Sequence, residues 1–302
     1  MGRHRRSLVS FLKDPCPPSF SACSVVALFG GDPSLIDVSI VIVSFNARDD
    51  LERCLGSLHA SPPAVPHEIV VVDNASTDGS AGAARRYKGV RLIEAGSNLG
   101  FARATNIGIR ASAGTNLLLL NSDTIVPPHA IDRLVDELQR HPEVAVVGPR
   151  LVDADGRAEL SFGRMIGPFN ELRQKILAQG QARRLRVVSG VVEQMTRRAH
   201  SPDWVSGACL LVRRSDAESV SLIDERYFMY TEDVDFCAAI RARGRRILFT
   251  PAVEVVHVGG RSAVTALSAT QSAYRRSRLA FYEKHHPAWA PLLRLYLRLR
   301  SG

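Results

Sequence analysis

V-S-I-V-I-V-S-F-N-A-R-D-D-L-E-R-C-L-G-S-L, residues 38–58, changes its period half-way along. The first eight residues are mostly apolar and β-branched, the composition of a strand covered on both faces. After Asn46 the residues Leu51, Cys54, Leu55 and Leu58 fall at i, i+3, i+4 and i+7, which is one face of a helix. A strand that runs directly into a helix is the repeating unit of a parallel sheet, because parallel neighbours need a long crossover between them.

The unit recurs. E-I-V-V-V-D (68–73) leads through a Ser/Thr/Asp/Gly turn into A-G-A-A-R-R-Y (81–87), and V-R-L-I-E (90–94) precedes A-R-A-T-N-I-G-I-R-A (102–111). L-L-L-L-N (117–121) precedes a helix that starts near Pro127 and aligns Ile131, Leu134, Val135 and Leu138; V-A-V-V-G (144–148) closes the series. The expected fold class is α/β, a mostly parallel sheet flanked by helices. Ligands bind such sheets at the carboxyl ends of the strands, here Ser44-Phe45-Asn46, Asp73-Asn74-Ala75-Ser76 and Asn121-Ser122-Asp123.

Beyond residue 150 the pattern weakens. Residues 156–203 mix Gly, Arg and Pro around one helical stretch, N-E-L-R-Q-K-I-L (170–177), and read as mobile or substrate-shaped. W-V-S-G-A-C-L-L-V-R-R (204–214) reads as one buried strand. Thr231 reads as the N-cap of a helix over 231–243, with Glu232 and Asp233 in its first turn and Gly244 just past its end. Residues 246–260 read as strand. The expected organisation is an N-terminal extension over 1–36, a body over 37–265 divided near residue 150, and a basic amphipathic C-terminal segment over 266–302.

Charge follows these divisions. Of 39 basic residues only four are Lys, and the net charge is +9. Residues 163–200 and 271–302 each carry +6 and the first fourteen +3, so the rest of the chain is acidic by six charges. A single-strand nucleic-acid binder interleaves basic residues with stacking aromatics, yet Phe169 is the sole Phe, Tyr or Trp in 163–200, and no nucleic-acid partner is expected. Five cysteines without a C-x-x-C pair argue against a zinc site or a disulfide framework and for a reducing compartment. No apolar run reaches the ~18 residues of a membrane span, and Lys13 and Asp14 interrupt the signal-like start. A cytoplasmic location follows.

Three features carry chemistry. Asp73 ends an apolar strand and opens D-N-A-S-T-D-G-S; these are turn residues, and a carboxylate there can also accept from a base or ribose. No G-x-G-x-x-G follows any strand, which removes the dinucleotide fingerprint. Asp123, after L-L-L-L-N-S, suits a hard divalent cation or a helix cap; His257, after V-E-V-V, suits a ligand or a satisfied structural role. Glu232, Asp233 and Asp235 gather behind Tyr227, Phe228 and Tyr230 in an otherwise basic chain.

Taken in order, V-S-I-V-I-V-S-F-N (38–46), V-V-V-D-N-A-S-T-D-G-S (70–80), N-L-G-F-A-R-A-T-N (98–106), L-L-L-L-N-S-D-T (117–124), W-V-S-G-A-C-L-L-V-R-R (204–214), F-M-Y-T-E-D-V-D-F-C (228–237) and V-V-H-V-G-G-R-S (255–262) resemble the motifs of family two glycosyltransferases, the rhamnosyltransferase-like branch most of all. The resemblance implies the GT-A nucleotide-diphospho-sugar transferase fold, a nucleotide-sugar donor, Mg²⁺ or Mn²⁺, and inversion at the anomeric carbon. It implies that Ser44, Asn46 and Asp73 hold the nucleotide, and that Asn98, Gly100, Phe101 and Asn106 border the nucleotide and donor sugar. It places the metal on Asp123 and His257. Position 121 is Asn where many relatives have Asp, so Asn121 is expected on the ribose rather than the metal. Trp204 and Gly207 would line the sugar pocket, Asp233 would be the catalytic base, and Glu232 an acceptor-binding group or alternative base. The implied reaction moves a sugar, rhamnose from dTDP-rhamnose being the best match and a UDP-sugar the alternative, to a glycan or lipid-linked acceptor in cell-surface polysaccharide synthesis. The basic C-terminal segment is expected to touch an anionic membrane at the inner face of the plasma membrane.

Overall fold

A computed structural model describes residues 36–183, 185–259 and 267–299. The expected extension over 1–36 falls outside the described residues except for Ile36, and so do Gly260, Arg261 and Ser262 of the last motif.

The strand–helix units form as their periods dictate: β1 (Val38–Ser44), α1 (Arg48–Ala60), β2 (His67–Asp73), α2 (Ser80–Arg85), β3 (Val90–Glu94), α3 (Phe101–Arg110), β4 (Asn116–Asn121), β5 (Thr124–Ile125), α4 (Ala130–Arg140) and β6 (Val144–Val152). Then come β7 (Phe162–Gly163), α5 (Pro168–Ala182), α6 (Arg186–Met195), β8 (Trp204–Val205), β9 (Cys209–Arg213), α7 (Arg214–Ser219), α8 (Glu232–Ala242), β10 (Arg246–His257), α9 (Leu267–His285) and α10 (Ala290–Leu299). Eight strands make one sheet in the order β3-β2-β1-β4-β9-β6-β10-β5, in which only β9 and β5 run against the others. The mostly parallel α/β sheet is therefore observed.

Two apolar layers sandwich the sheet. Leu51, Cys54, Leu55 and Leu58 of α1 and Ile131, Leu134, Val135 and Leu138 of α4 pack with Ile40, Ile42, Leu118 and Leu120 on one face. Val41, Leu117 and Leu119 turn to the other face and meet Ile109, Leu210, Phe236, Ile240 and Phe249. The alternation of strand side chains makes both faces apolar, which is why the strands read as unbroken hydrophobic runs.

Two expectations are corrected here, and one left open between strand and helix is resolved. Residues 204–214 form two short strands and not one: β8 pairs with β7 in a separate two-stranded sheet, and Gly207 lies in the break before β9 enters between β4 and β6. The stretch 156–203 carries two helices, α5 and α6. Residues 293–300, whose alternation suits a strand as well as a helix, lie in α10 as far as Leu299. Among the described residues no helix is long and apolar enough to cross a membrane.

Candidate active site

The parallel strands end along one edge, and β1 and β2 finish in register, Ser44 opposite Asp73. Both side chains are buried there, and Ser44 Oγ and Asp73 Oδ1 have no hydrogen-bond partner within the protein. The other Asp73 oxygen accepts from Ser76 N at 3.0 Å. Buried polar atoms left unpaired are destabilising by ~1–3 kcal/mol each unless something completes them, so this pair marks a place prepared for a polar ligand. Two loops frame it. Asn46 Oδ1 accepts from Thr77 N at 2.8 Å, Arg48 N donates to Asp78 Oδ2 at 2.8 Å, and Asn46 N donates to Ser76 Oγ at 3.0 Å. The turn chemistry of D-N-A-S-T-D is thus spent on holding the β1 and β2 loops together.

Asn74, which sequence reasoning passed over, ties in the next motif. Its carboxamide donates to Asn98 Oδ1 at 3.0 Å and accepts from Leu99 N at 2.9 Å. Gly100 follows with φ +82°, and a Cβ there would lie 2.4 Å from the Phe228 carbonyl oxygen. Phe101 N donates to that same oxygen at 2.6 Å. The N-L-G-F turn is therefore pressed against the loop that carries the acids. Asn106 departs from expectation. It is fully buried in α3, with its carboxamide bound to both backbone groups of Ile223 at 2.8 and 3.1 Å and to Glu225 at 3.0 Å. It acts as a strut, because its carboxamide is spent on bonds within the fold.

Asp123 and His257 come together although 134 positions separate their numbers. β5 and the end of β10 pair, Thr124 opposite His257, and His257 Nε2 lies 3.3 Å from Asp123 Oδ1. On the far side of the ring, Nδ1 lies 2.9 Å from Glu159 Oε2. Burial opposes a charged imidazole, but the bonds to Asp123 and Glu159 outweigh it and bring its pKa up to about 10. Two ligands at right angles on an octahedral cation with bonds of about 2.1 Å lie about 3 Å apart. Carboxylate oxygen and imidazole nitrogen are both donors that Mn²⁺ accepts, so the pair fits a divalent cation. Glu159 would then fix the ring from behind. Among the described residues no group of three such side chains surrounds one point, so further ligands would have to come from a substrate. Nothing in R-A-E-L (157–160) announces Glu159; only the fold brings it to His257.

Glu232 and Asp233 open α8. Asp233 Oδ2 accepts from Gly207 N at 2.9 Å and Oδ1 from Val234 N at 2.8 Å. A Cβ on Gly207 would stand 3.3 Å from the Asp233 Cβ, so glycine permits this approach. One residue on, Ala208 O accepts from Asn121 N at 2.9 Å, which connects the acid pair to the Asn121-Ser122-Asp123 edge. Glu232 is buried, with Oε2 unpartnered. Burial, and then the neighbouring Asp233, push its pKa up to about 8, and burial also raises that of Asp233. Thr231 does not cap the helix: its φ is +66°, no side-chain cap bond forms, and its hydroxyl donates to Tyr230 O at 2.5 Å. Tyr230 has φ +71° as well. Two consecutive left-handed non-glycine residues are strained, and they turn the chain sharply into α8. Trp204 is half-buried with Nε1 donating to Arg164 O at 2.9 Å, so the ring is fixed against β7.

Asp235 holds this loop from beneath. It is 1% exposed and accepts from Tyr227 Oη at 3.1 Å, Lys284 Nζ at 2.7 Å and His285 Nε2 at 2.6 Å. Ser277 Oγ donates to Met229 O at 2.7 Å. Phe281, Tyr282, Ala290 and Leu293 pack with Tyr227 and Val234. The C-terminal helices are thus part of the wall beneath the acids, a role their basic amphipathic pattern does not predict.

The glycosyl transferase family 2 model matches residues 39–201. The chain belongs to that family. It is 33% identical over 279 residues, 87% of this chain and 91% of the other, to an N-acetylglucosaminyl-diphospho-decaprenol L-rhamnosyltransferase of Mycobacterium tuberculosis. To the rhamnosyltransferase WbbL of Escherichia coli K12 it is 26% identical, over 73% of this chain and 83% of that one. The fold matches a mannosyltransferase from Pyrobaculum calidifontis in complex with GDP-Man and Mn²⁺, with TM-score 0.58 at 18% identity, covering 90% of this chain and 74% of the other. It also matches GalNAc-T7 with UDP, GalNAc and Mn²⁺, with TM-score 0.58 at 20% identity, covering 82% and 48%. The protein is a glycosyltransferase of the rhamnosyltransferase-like branch with a GT-A fold.

Proposed function

We propose that this family 2 enzyme transfers rhamnose from dTDP-rhamnose, with inversion, to a lipid-linked glycan acceptor at the cytoplasmic face of the membrane. The observation that carries the reading is the junction of Gly207 and Ala208. It sets Asp233 on one side and the Asn121-Ser122-Asp123 edge on the other. A base and a diphosphate site so arranged suit an in-line displacement. The choice of sugar and acceptor is supported by the M. tuberculosis relative, whose name specifies both.

In this reaction Ser44 Oγ and Asp73 Oδ1 take the base or ribose of the nucleotide, and Asn121 takes a ribose hydroxyl. Asp123 and His257 would hold a divalent cation, which offsets the charge on the departing diphosphate. Asp233 accepts the proton of the acceptor hydroxyl as that oxygen bonds to the anomeric carbon and the bond from that carbon to the diphosphate oxygen breaks. The two backbone donors on Asp233 favour its charged form. Glu232, with its pKa near 8, is neutral at pH 7 and donates a hydrogen bond to sugar or acceptor.

Screening dTDP- and UDP-sugars for diphosphate release, with Mg²⁺, with Mn²⁺ and with chelator, tests donor and cation together. Release from dTDP-rhamnose that chelator abolishes is expected. Turnover confined to a UDP-sugar would replace the donor.

The roles of the two acids separate by pH. Glu232 has a folded pKa above its ordinary 4.5, so it holds its proton up to about pH 8. Above that it ionises beside Asp233, loses its donor hydrogen, and wild-type kcat should fall. Glu232→Gln mimics the protonated form, so it should keep neutral-pH activity within about tenfold and lose that alkaline fall. A pH–rate profile of both proteins decides it; an unchanged alkaline limb in the variant rejects the neutral-donor role.

A further inference from the structure

The helices beyond the sheet carry large apolar side chains that stand exposed among the described residues. On α5, Leu172 and Ile176 stand one turn apart, and on α6 so do Val187 and Val191. α10 is apolar on two sides: Ala290 and Leu293 are buried in the wall beneath the acids, while Leu292, Leu295 and Leu299 face outward. Exposure across this set runs from 45% at Val191 to 80% at Val187. A helix that needs only a core face has polar residues on the other; α10 does not follow that rule.

The two regions share one root. Glu171 in the first turn of α5 accepts from Arg278 Nη2 at 2.7 Å and Tyr282 Oη at 3.0 Å of α9. His286, between α9 and α10, lies 2.7 Å from Ile166 O just before α5. Ile166 itself packs with Tyr227 and Val234, so both regions rise beside the wall that carries Asp233. Cations border the apolar side chains. Arg173, Arg183, Arg186 and Arg298 have no ion-pair partner among the described residues, and residues 163–200 carry a net +6.

We infer that α5, α6 and α10 form a surface that docks on an anionic lipid bilayer, with Leu172, Ile176, Val187, Leu292, Leu295 and Leu299 entering the headgroup boundary and the free arginines meeting lipid phosphates. Charge complementarity selects this occupant over a second copy of the chain, because two copies would bring the same uncompensated arginines face to face. The docking is peripheral, since no described helix spans a membrane. It rests on the lipid-linked acceptor proposed above, for which it brings the acid pair to the bilayer that holds the substrate. Each Lys or Arg near an anionic surface contributes a factor of about five in binding, and apolar insertion adds to it.

The test is co-sedimentation of the full chain with phosphatidylcholine vesicles with and without phosphatidylglycerol. Wild type should sediment with the phosphatidylglycerol vesicles. The triple variant Leu172→Glu/Ile176→Glu/Val187→Glu, and separately Leu292→Glu/Leu295→Glu, should bind them at least about tenfold more weakly, with the circular dichroism and the rate of donor diphosphate release to water unchanged. Wild type that fails to sediment, or variants that sediment as it does, would overturn the proposal. Light scattering that shows a wild-type dimer broken by these changes, with vesicle binding intact, would make the surface a self-interface and overturn it too. Vesicle binding lost in the variants of a wild type that does not turn over dTDP-rhamnose would leave the surface standing and remove the proposed donor and acceptor instead.

Discussion

Asp233→Asn should slow transfer by about a hundredfold or more, the scale of losing a general base, while the Kd for nucleotide measured by calorimetry stays within a few-fold. The proposed nucleotide site is independent of this carboxylate: Ser44, Asp73 and the loops tied by Asn46 and Asp78 lie at the ends of β1 and β2. The fold should tolerate the change. Asp233 now accepts from two backbone N–H groups, Gly207 and Val234. The carboxamide can accept from one only, so about 1 kcal/mol of stability should be lost, visible as a small shift in urea midpoint. A large fall in kcat beside a small fall in stability assigns the proton transfer to Asp233. Transfer kept near wild type would move the base to Glu232.

Gly100→Ala should be nearly as severe by a different route. Residue 100 sits at φ +82°, where an L side chain is strained, and its Cβ would press on the Phe228 carbonyl oxygen at 2.4 Å and on the ring at 2.7 Å. Backbone strain and overpacking together should lower the unfolding free energy by about 3 kcal/mol. Relief can come only by moving the loop from Tyr227 to Thr231, which delivers Glu232 and Asp233 into α8. Displacement of a catalytic group by an ångström can cost about a hundredfold in rate. Urea denaturation and kcat should therefore both change, with KM for donor less affected. A variant normal in both would show that the contact between N-L-G-F and the acid loop is slack.

The sequence showed most clearly the parts of this molecule whose physics is local. β1 to β4 and the helices that follow them repeat one hydrophobic period change, and the sheet edge follows from where each apolar run stops. The positions of Ser44, Asp73 and Asp123 follow from where those runs stop. What the sequence did not show depends on contacts distant along the chain. Glu159 meets His257 only because β10 returns beside β6, and the stretch around Glu159 has no period to mark it. Asn106 sits inside a recognisable motif, yet its carboxamide bonds to Ile223, a residue 117 positions away that the motif does not announce. The break at Gly207 is hidden because the residues on both sides are equally apolar, and antiparallel insertion of β9 cannot be read from hydrophobicity. Thr231 has the composition of a cap, but the left-handed turn at Tyr230 and Thr231 sends its hydroxyl elsewhere.

The seat of Asp235 on Lys284 and His285 also fixes an order of events in the making of the protein. The residues proposed for the base and ribose of the nucleotide lie before residue 124, whereas the helix that starts at Glu232 is held by side chains about fifty residues further downstream. A chain still emerging from the ribosome therefore has the β1 and β2 edge in hand while its acids lack their support. A product stopped short of Ser277 would lack every side chain of the last two helices that holds Met229 and Asp235 in place.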